Sequence, residues 1–137
     1  MADEKNIQEK YRQFQLVQEH LEQITKHLEM LHQQQREIGV SIEALKELQD
    51  AKLNTEILAP VANGIFFKSE LKDHKKLLVN VGAEVAVEKT IPEVIGLLEE
   101  QKEKIIGNIT GAESILRELQ EQEMRIYREV ENGLHSE

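Results

Sequence analysis

ILAPVANGIFFKSEL, residues 57–71, interrupts a chain that otherwise reads as helix. β-branched and aromatic residues stand on both sides of Asn63-Gly64, the pair preferred in tight hairpin turns. The pattern predicts strands over 57–62 and 65–71. After the spacer KDHK, residues 72–75, comes a second pair, KLLVNV at 76–81 and EVAVE at 84–88, flanking Gly82-Ala83. Alternation puts Leu77, Val79, Val81, Val85 and Val87 on one face of this second hairpin, with Asn80, Glu84 and Glu88 on the other. Pro60 has no N–H to donate, so the first strand is an edge at that point.

Outward from the hairpins the period changes. Steps of seven through the first part of the chain pick out Ile7, Phe14, Leu21, Leu28, Gln35 and Ile42, and three residues later Lys10, Val17, Ile24, Leu31, Ile38 and Leu45. From Phe14 to Leu45, nine of these ten positions are apolar, and Gln35 is the exception. A repeat of about 3.5 residues keeps one narrow stripe facing a partner helix, which is the signature of a coiled coil. The second part repeats it with Ile95, Lys102, Ile109, Leu116, Glu123 and Val130, and with Leu98, Ile105, Ala112, Leu119 and Ile126. TIPE, residues 90–93, marks the start: Thr90 is an N-cap, Glu93 completes a capping box, and Pro92 sits in the first turn. Gly107, Gly111 and Ala112 make the middle of this helix its weakest stretch, where a bend is expected. The predicted organisation is one domain, 1–137, with a helix over about 5–52, two β-hairpins over about 56–89 and a helix over about 91–132. The fold class is mainly α with a small β part: a long antiparallel two-helix coiled coil with two central hairpins.

Composition agrees with thin helical seams rather than a thick core. Aromatics are 4%, Trp is absent and charged residues reach 31% of the 137. There is no cysteine, so disulfides and thiolate metal sites are excluded. No apolar run approaches a membrane span and MADEKNIQEK, residues 1–10, holds no signal-type apolar segment, so a cytoplasmic protein with no membrane partner is expected. The net charge of −9 divides as −3 over residues 1–52, zero over 53–92 and −6 over 93–137. No segment is basic enough to neutralise a row of phosphates, which argues against nucleic acid.

Two helices joined by a compact insert fold back on each other and cover each other's stripes. The hairpins gain nothing from this, because an isolated hairpin in water is marginal and its edges stay open. Strands from other subunits, closing into a β-barrel, are the expected remedy. The candidate assembly residues are Ile57, Val61, Ile65, Phe67, Leu77, Val79, Val81, Val85 and Val87. Of the five aromatics, Phe66 and Phe67 lie in the hairpin, while Tyr11, Phe14 and Tyr127 lie near the free end of the helix pair. Leu16, Met124 and Leu134 add apolar surface there, off the stripe. Ile7, Tyr11, Phe14, Leu16, Met124, Ile126, Tyr127, Val130 and Leu134 are therefore the candidate surface for gripping another polypeptide.

Catalytic and cofactor motifs are missing. His20 and His27 are seven residues apart, not the four of a helical two-His metal site, and no GxxxxGK[ST] phosphate loop occurs. Acid clusters such as Glu99-Glu100 read as solvated helix faces. The expectation is no enzyme, no cofactor and no metal.

TEILAPVANGIFFKSELKD (55–73) followed by KLLVNVGAEVAVEKT (76–90), between two helices, resembles the α-class subunits of prefoldin of archaeal type. EILAPV, ELKD, VNVG and VEKT carry the likeness, and the α class is the one with two hairpins. One departure is Ala62-Asn63, where family members often have a glycine in the first turn. The resemblance implies a hexameric, ATP-independent chaperone of two α-class and four β-class subunits. Hairpins would form paired barrels, and coiled-coil tips would capture unfolded client polypeptides and deliver them to a group II chaperonin. The alternative is a structural coiled-coil scaffold or a filament-forming prefoldin relative, in which the helices act as spacers.

Overall fold

The structure, a computed structural model, describes the backbone of residues 2–135 and the side chains of residues 4–133. Its elements run α1 (Ala2–Asp50), β1 (Glu56–Ala62), β2 (Ile65–Glu70), β3 (Lys76–Asn80), β4 (Ala86–Thr90) and α2 (Ile91–His135). Two long helices and two small antiparallel hairpins make it mainly α with a small β part, as the periodicities require. The chain forms two compact units, Met1–Gln35 with Lys104–Glu137, and Arg36–Glu103.

In the first unit the two helices run antiparallel. Gly133 lies against Ile7, where an added β-carbon would come 3.6 Å from Ile7 Cγ1. Lys10 Nζ lies 3.2 Å from Glu129 Oε2, and the rings of Phe14 and Tyr127 are 6.5 Å apart between centroids. Further along, Leu28 and Leu31 are buried with Ile109 and Ala112, and Ile24, Ile105 and Leu116 pack around them. All the seam positions of both heptad series are buried or half-buried, Lys10, Gln35, Lys102 and Glu123 included. Lys10 shows how a cation tolerates such a place: its stem covers the seam and its ammonium reaches out to Glu129. α2 continues unbroken through Gly107 and Gly111.

The second unit holds the ends of the helices next to the hairpins, and the hairpins themselves. Asn54, in the left-handed region at φ 68°, turns the chain out of α1, and its N–H donates to Leu71 O at 2.7 Å. Leu71 N–H in turn donates to Thr55 O at 2.9 Å, tying the base of the first hairpin shut. At the other end of the hairpins Thr90 caps α2. Its Oγ1 accepts from Glu93 N–H at 3.3 Å, and its hydroxyl donates to Glu93 Oε1 at 3.1 Å. The predicted N-cap is therefore present, with the carboxylate meeting the Thr90 hydroxyl. Ile42, Leu71 and Ile91 are this unit's buried apolar residues, and Ile91 is just 1% exposed.

The two hairpins are separate two-stranded sheets. In the second, Asn80 pairs with Ala86 and Val79 with Val87, and Val81 N–H donates to Val85 O at 3.0 Å. The turn is thus three residues, Gly82–Glu84, and β4 spans Ala86–Thr90, where the sequence suggested Gly82-Ala83 and 84–88. The physical reason is register. A two-residue turn would oppose Val81 to Glu84 and throw Val85 and Val87 to the polar face, since a one-residue slip inverts every side chain. Gly82, Ala83 and Glu84 take φ of 110°, 51° and 61° to make the turn, and Asn80 Oδ1 accepts from Gly82 N–H at 3.0 Å.

Candidate functional site: the helix-pair tip and the hairpin faces

The described side chains hold no group of three or more His, Cys, Asp or Glu residues able to take a metal. A concavity of about 700 Å³ lies beside Gly39 and Val40 and is lined by Arg36, Glu43, Lys46, Glu47, Glu99 and Lys102 among others. No helix among the described residues is long and apolar enough to cross a membrane. Exposed apolar side chains also occur along the helices, at Met30, Val40, Ile106 and Ile115, but aromatic and aliphatic ones stand together in two places.

The first is the end of the helix pair in the first unit. Phe14 and Tyr127 meet across the seam at a tilt of 43°, and with Tyr11 and Val130 they line an apolar notch of about 160 Å³. Tyr11 is 58% exposed, Tyr127 56% and Met124 53%, and Leu16 is exposed too. Phe14, Val130 and Ile7 are half-buried under them. Ile126 is different: at 7% exposure it lies in the seam, so it supports the tip from inside and presents no surface of its own. The reason is its place in the heptad series, which orients it toward the partner helix. The Leu134 side chain lies outside the described residues. The arrangement places large rings, cheap to immobilise and apolar over most of their area, where the described residues leave them exposed.

The second is the hairpin pair. Register pairs Ile57 with Ser69 and Ala59 with Phe67, so Ile57, Ala59, Ile65, Phe67 and Ser69 share one face. The ladder slips between Pro60 and Ala62, leaving Val61 as a bulge rather than a regular member of that face. Strict alternation missed this. The signal was Pro60 two residues ahead of a tight turn. In the second hairpin the face of Leu77, Val79, Val81, Val85 and Val87 is as the sequence suggested: Leu77 and Val79 are half-buried and the three others exposed. Leu58, Phe66 and Leu78 are not among the candidate assembly residues. They too are exposed, on the opposite faces. The first hairpin is thus apolar on both faces.

Such a helix pair bearing open hairpins defines a chain with surfaces suited to joining others. The prefoldin subunit family model matches residues 4–132, and the chain belongs to that family. Among its relatives, prefoldin subunit alpha of Archaeoglobus fulgidus is 30% identical over 130 residues, covering 95% of this chain and 95% of that protein. Prefoldin subunit alpha 1 of Thermococcus kodakarensis is 33% identical over 99 residues, 72% of this chain and 68% of the other. The fold is that of the cryo-EM structure of filamentous PFD from Methanocaldococcus jannaschii, matched with a TM-score of 0.72 at 19% identity over 89% of this chain and 98% of that one. These relatives place it with the archaeal alpha subunits.

Proposed function

We propose that the chain acts as one prefoldin-like domain, the α-class subunit of a hexamer with two α and four β-class members, which holds non-native polypeptides without ATP and hands them to a group II chaperonin in the cytoplasm. The observation that carries this reading is the cluster of uncovered rings at the helix-pair tip, Tyr11 and Tyr127 over Phe14, with Leu16 and Met124 beside them. A pure spacer needs no such surface. Each tip offers a weak apolar grip, and linking several tips in one particle raises avidity roughly 10²–10⁴-fold without any new contact. Reversibility follows from the weakness of each grip, which suits a holder that must pass its client on. Chemistry on the client is not part of this mechanism, and the apolar surfaces need no cofactor. The hairpin residues Ile57, Ile65, Phe67, Leu77, Val79, Val81, Val85 and Val87 serve assembly, with Val61 shaping the strand at its bulge. Family membership and the uncovered faces of both hairpins support that assignment.

The experiment is a triple substitution, Tyr11→Ser, Met124→Ser and Tyr127→Ser, in the complex co-expressed with its partner subunit. These side chains are more than half exposed, so helicity and particle mass should be unchanged. Suppression of aggregation of a chemically denatured test protein should fall several-fold. Undiminished suppression by an intact particle would reject the tip as the client surface.

A further inference from the structure

Asn63-Gly64 carries a chemistry that neither the tip nor the hairpin faces use. The main-chain nitrogen after an asparagine is a nucleophile tethered to that asparagine's own side-chain amide, and tethering replaces a collision between two molecules. Whether the two groups can meet depends on the residue that follows. The chain has six asparagines. Four precede Ile7, Thr55, Val81 and Ile109, whose stiff, branched side chains crowd the nitrogen that would attack. The other two precede glycine, at Asn63-Gly64 and Asn132-Gly133.

The structure separates these two pairs. Asn132 and Gly133 lie inside α2 (Ile91–His135), where each N–H is committed to the carbonyl four residues back, and Gly133 lies against Ile7. Asn63 and Gly64 instead form the turn between β1 and β2, since Ala62 pairs with Ile65. Both are exposed, and among the described residues neither the Asn63 side chain nor Gly64 N–H has a hydrogen-bond partner. Gly64 stands at φ 77°, with nothing within 4 Å of the place a β-carbon would take. Without a side chain, and with open space around it, this peptide unit can rotate into the attacking position.

We propose that Asn63 is a site of spontaneous deamidation that ages the first hairpin. Gly64 N bonds to Asn63 Cγ, the Cγ–Nδ2 bond breaks, and the Gly64 amide proton leaves with Nδ2 as ammonia. Water then opens the resulting five-membered imide on either side. Opening at Cγ gives aspartate. Opening at the main-chain carbonyl gives isoaspartate, in which the chain runs through the former side chain. Water is the sole co-reactant. Both products place a carboxylate on a turn, Ala62 to Ile65, that is otherwise uncharged. Isoaspartate also lengthens the connection by one carbon, and the length of a hairpin connection sets the register of its strands. A shifted register displaces the faces that serve assembly, a consequence that rests on the function proposed above; the modification itself does not.

The test uses the complex co-expressed with a one-hairpin partner subunit, incubated at neutral pH and sampled over weeks. Its peptides are read by mass spectrometry with fragmentation that distinguishes aspartate from isoaspartate. A gain of about 1 Da at Asn63 is expected, accumulating several-fold faster than at Asn132. Asn63 recovered unchanged, or altered no faster than Asn132, overturns the assignment. Isoaspartyl chains are expected to collect in the unassembled fraction on sizing, and an equal share of them inside the complex overturns the effect on assembly. Fresh chains that form no complex would remove the assembly reading itself, and the Asn63 measurement then decides the modification in the chain alone.

Discussion

Thr90 is the last residue of β4 and the cap of α2, so one hydroxyl joins the hairpin to the helix that carries the tip. Its Oγ1 satisfies Glu93 N–H, one of the donors a helix start leaves unpaired. Thr90→Ala is expected to lower stability by about 1 kcal/mol, read as a lower urea midpoint of the helical signal, and Thr90→Ser to restore most of it. Beside it Ile91 is 1% exposed and lies seven residues before Leu98, in line with the seam series of α2. The capping box was legible because it is local chemistry at fixed spacing. The place of Ile91 on the seam series was legible too, but how completely it is closed over was not, because that depends on chain that approaches from elsewhere. The three-residue turn is a similar case. Ala83 and Glu84 occupy the left-handed region at φ 51° and 61°, where a β-carbon costs about 1–2 kcal/mol. Ala83→Gly should therefore stabilise the protein by up to about 1 kcal/mol, checked by the same urea titration. A destabilised variant would show that the turn takes another form.

At the scale of elements, the helices owe their pairing to a repeat rather than to any single residue. Every position that the heptad series names is buried or half-buried, including those filled by Lys10, Gln35, Lys102 and Glu123. This works because a period near 3.5 leaves only one side of the helix able to face a partner continuously. Polar seam residues cost stability where apolar ones would pack. Gln35→Leu is expected to raise the urea midpoint by an amount worth about 1 kcal/mol. Leu31→Ala, in the Leu28–Leu31–Ile109–Ala112 cluster, should cost about 2–3 kcal/mol. The Lys10–Glu129 pair is more than half exposed on its acid side and contributes little by comparison. Periodicity placed Ile126 correctly in the seam. Its inclusion in the gripping surface overlooked what the same series says about its orientation.

For the whole molecule, the hairpins set the terms. Both have apolar faces that the described residues leave exposed, and the first is apolar on both sides. A carboxylate placed there can stay hydrated in the separate chain but has to lose its water in an assembly. Phe67→Asp and Val79→Asp are accordingly expected to dissociate the complex in sizing experiments while far-UV helicity persists. A particle of unchanged mass in both variants would show that these faces are not interfaces.

The sequence by itself determined the kind of elements, their order, the seam and the helix cap, because each of these follows from local propensity or from a periodic pattern. Tertiary structure alone decided the register of the second hairpin, the bulge at Val61 and how completely Ile91 is closed over. Those depend on which backbone groups meet across a ladder or which chain closes over a side chain. A one-residue difference in pairing changes the face of every residue beyond it, and composition leaves no trace of such a slip.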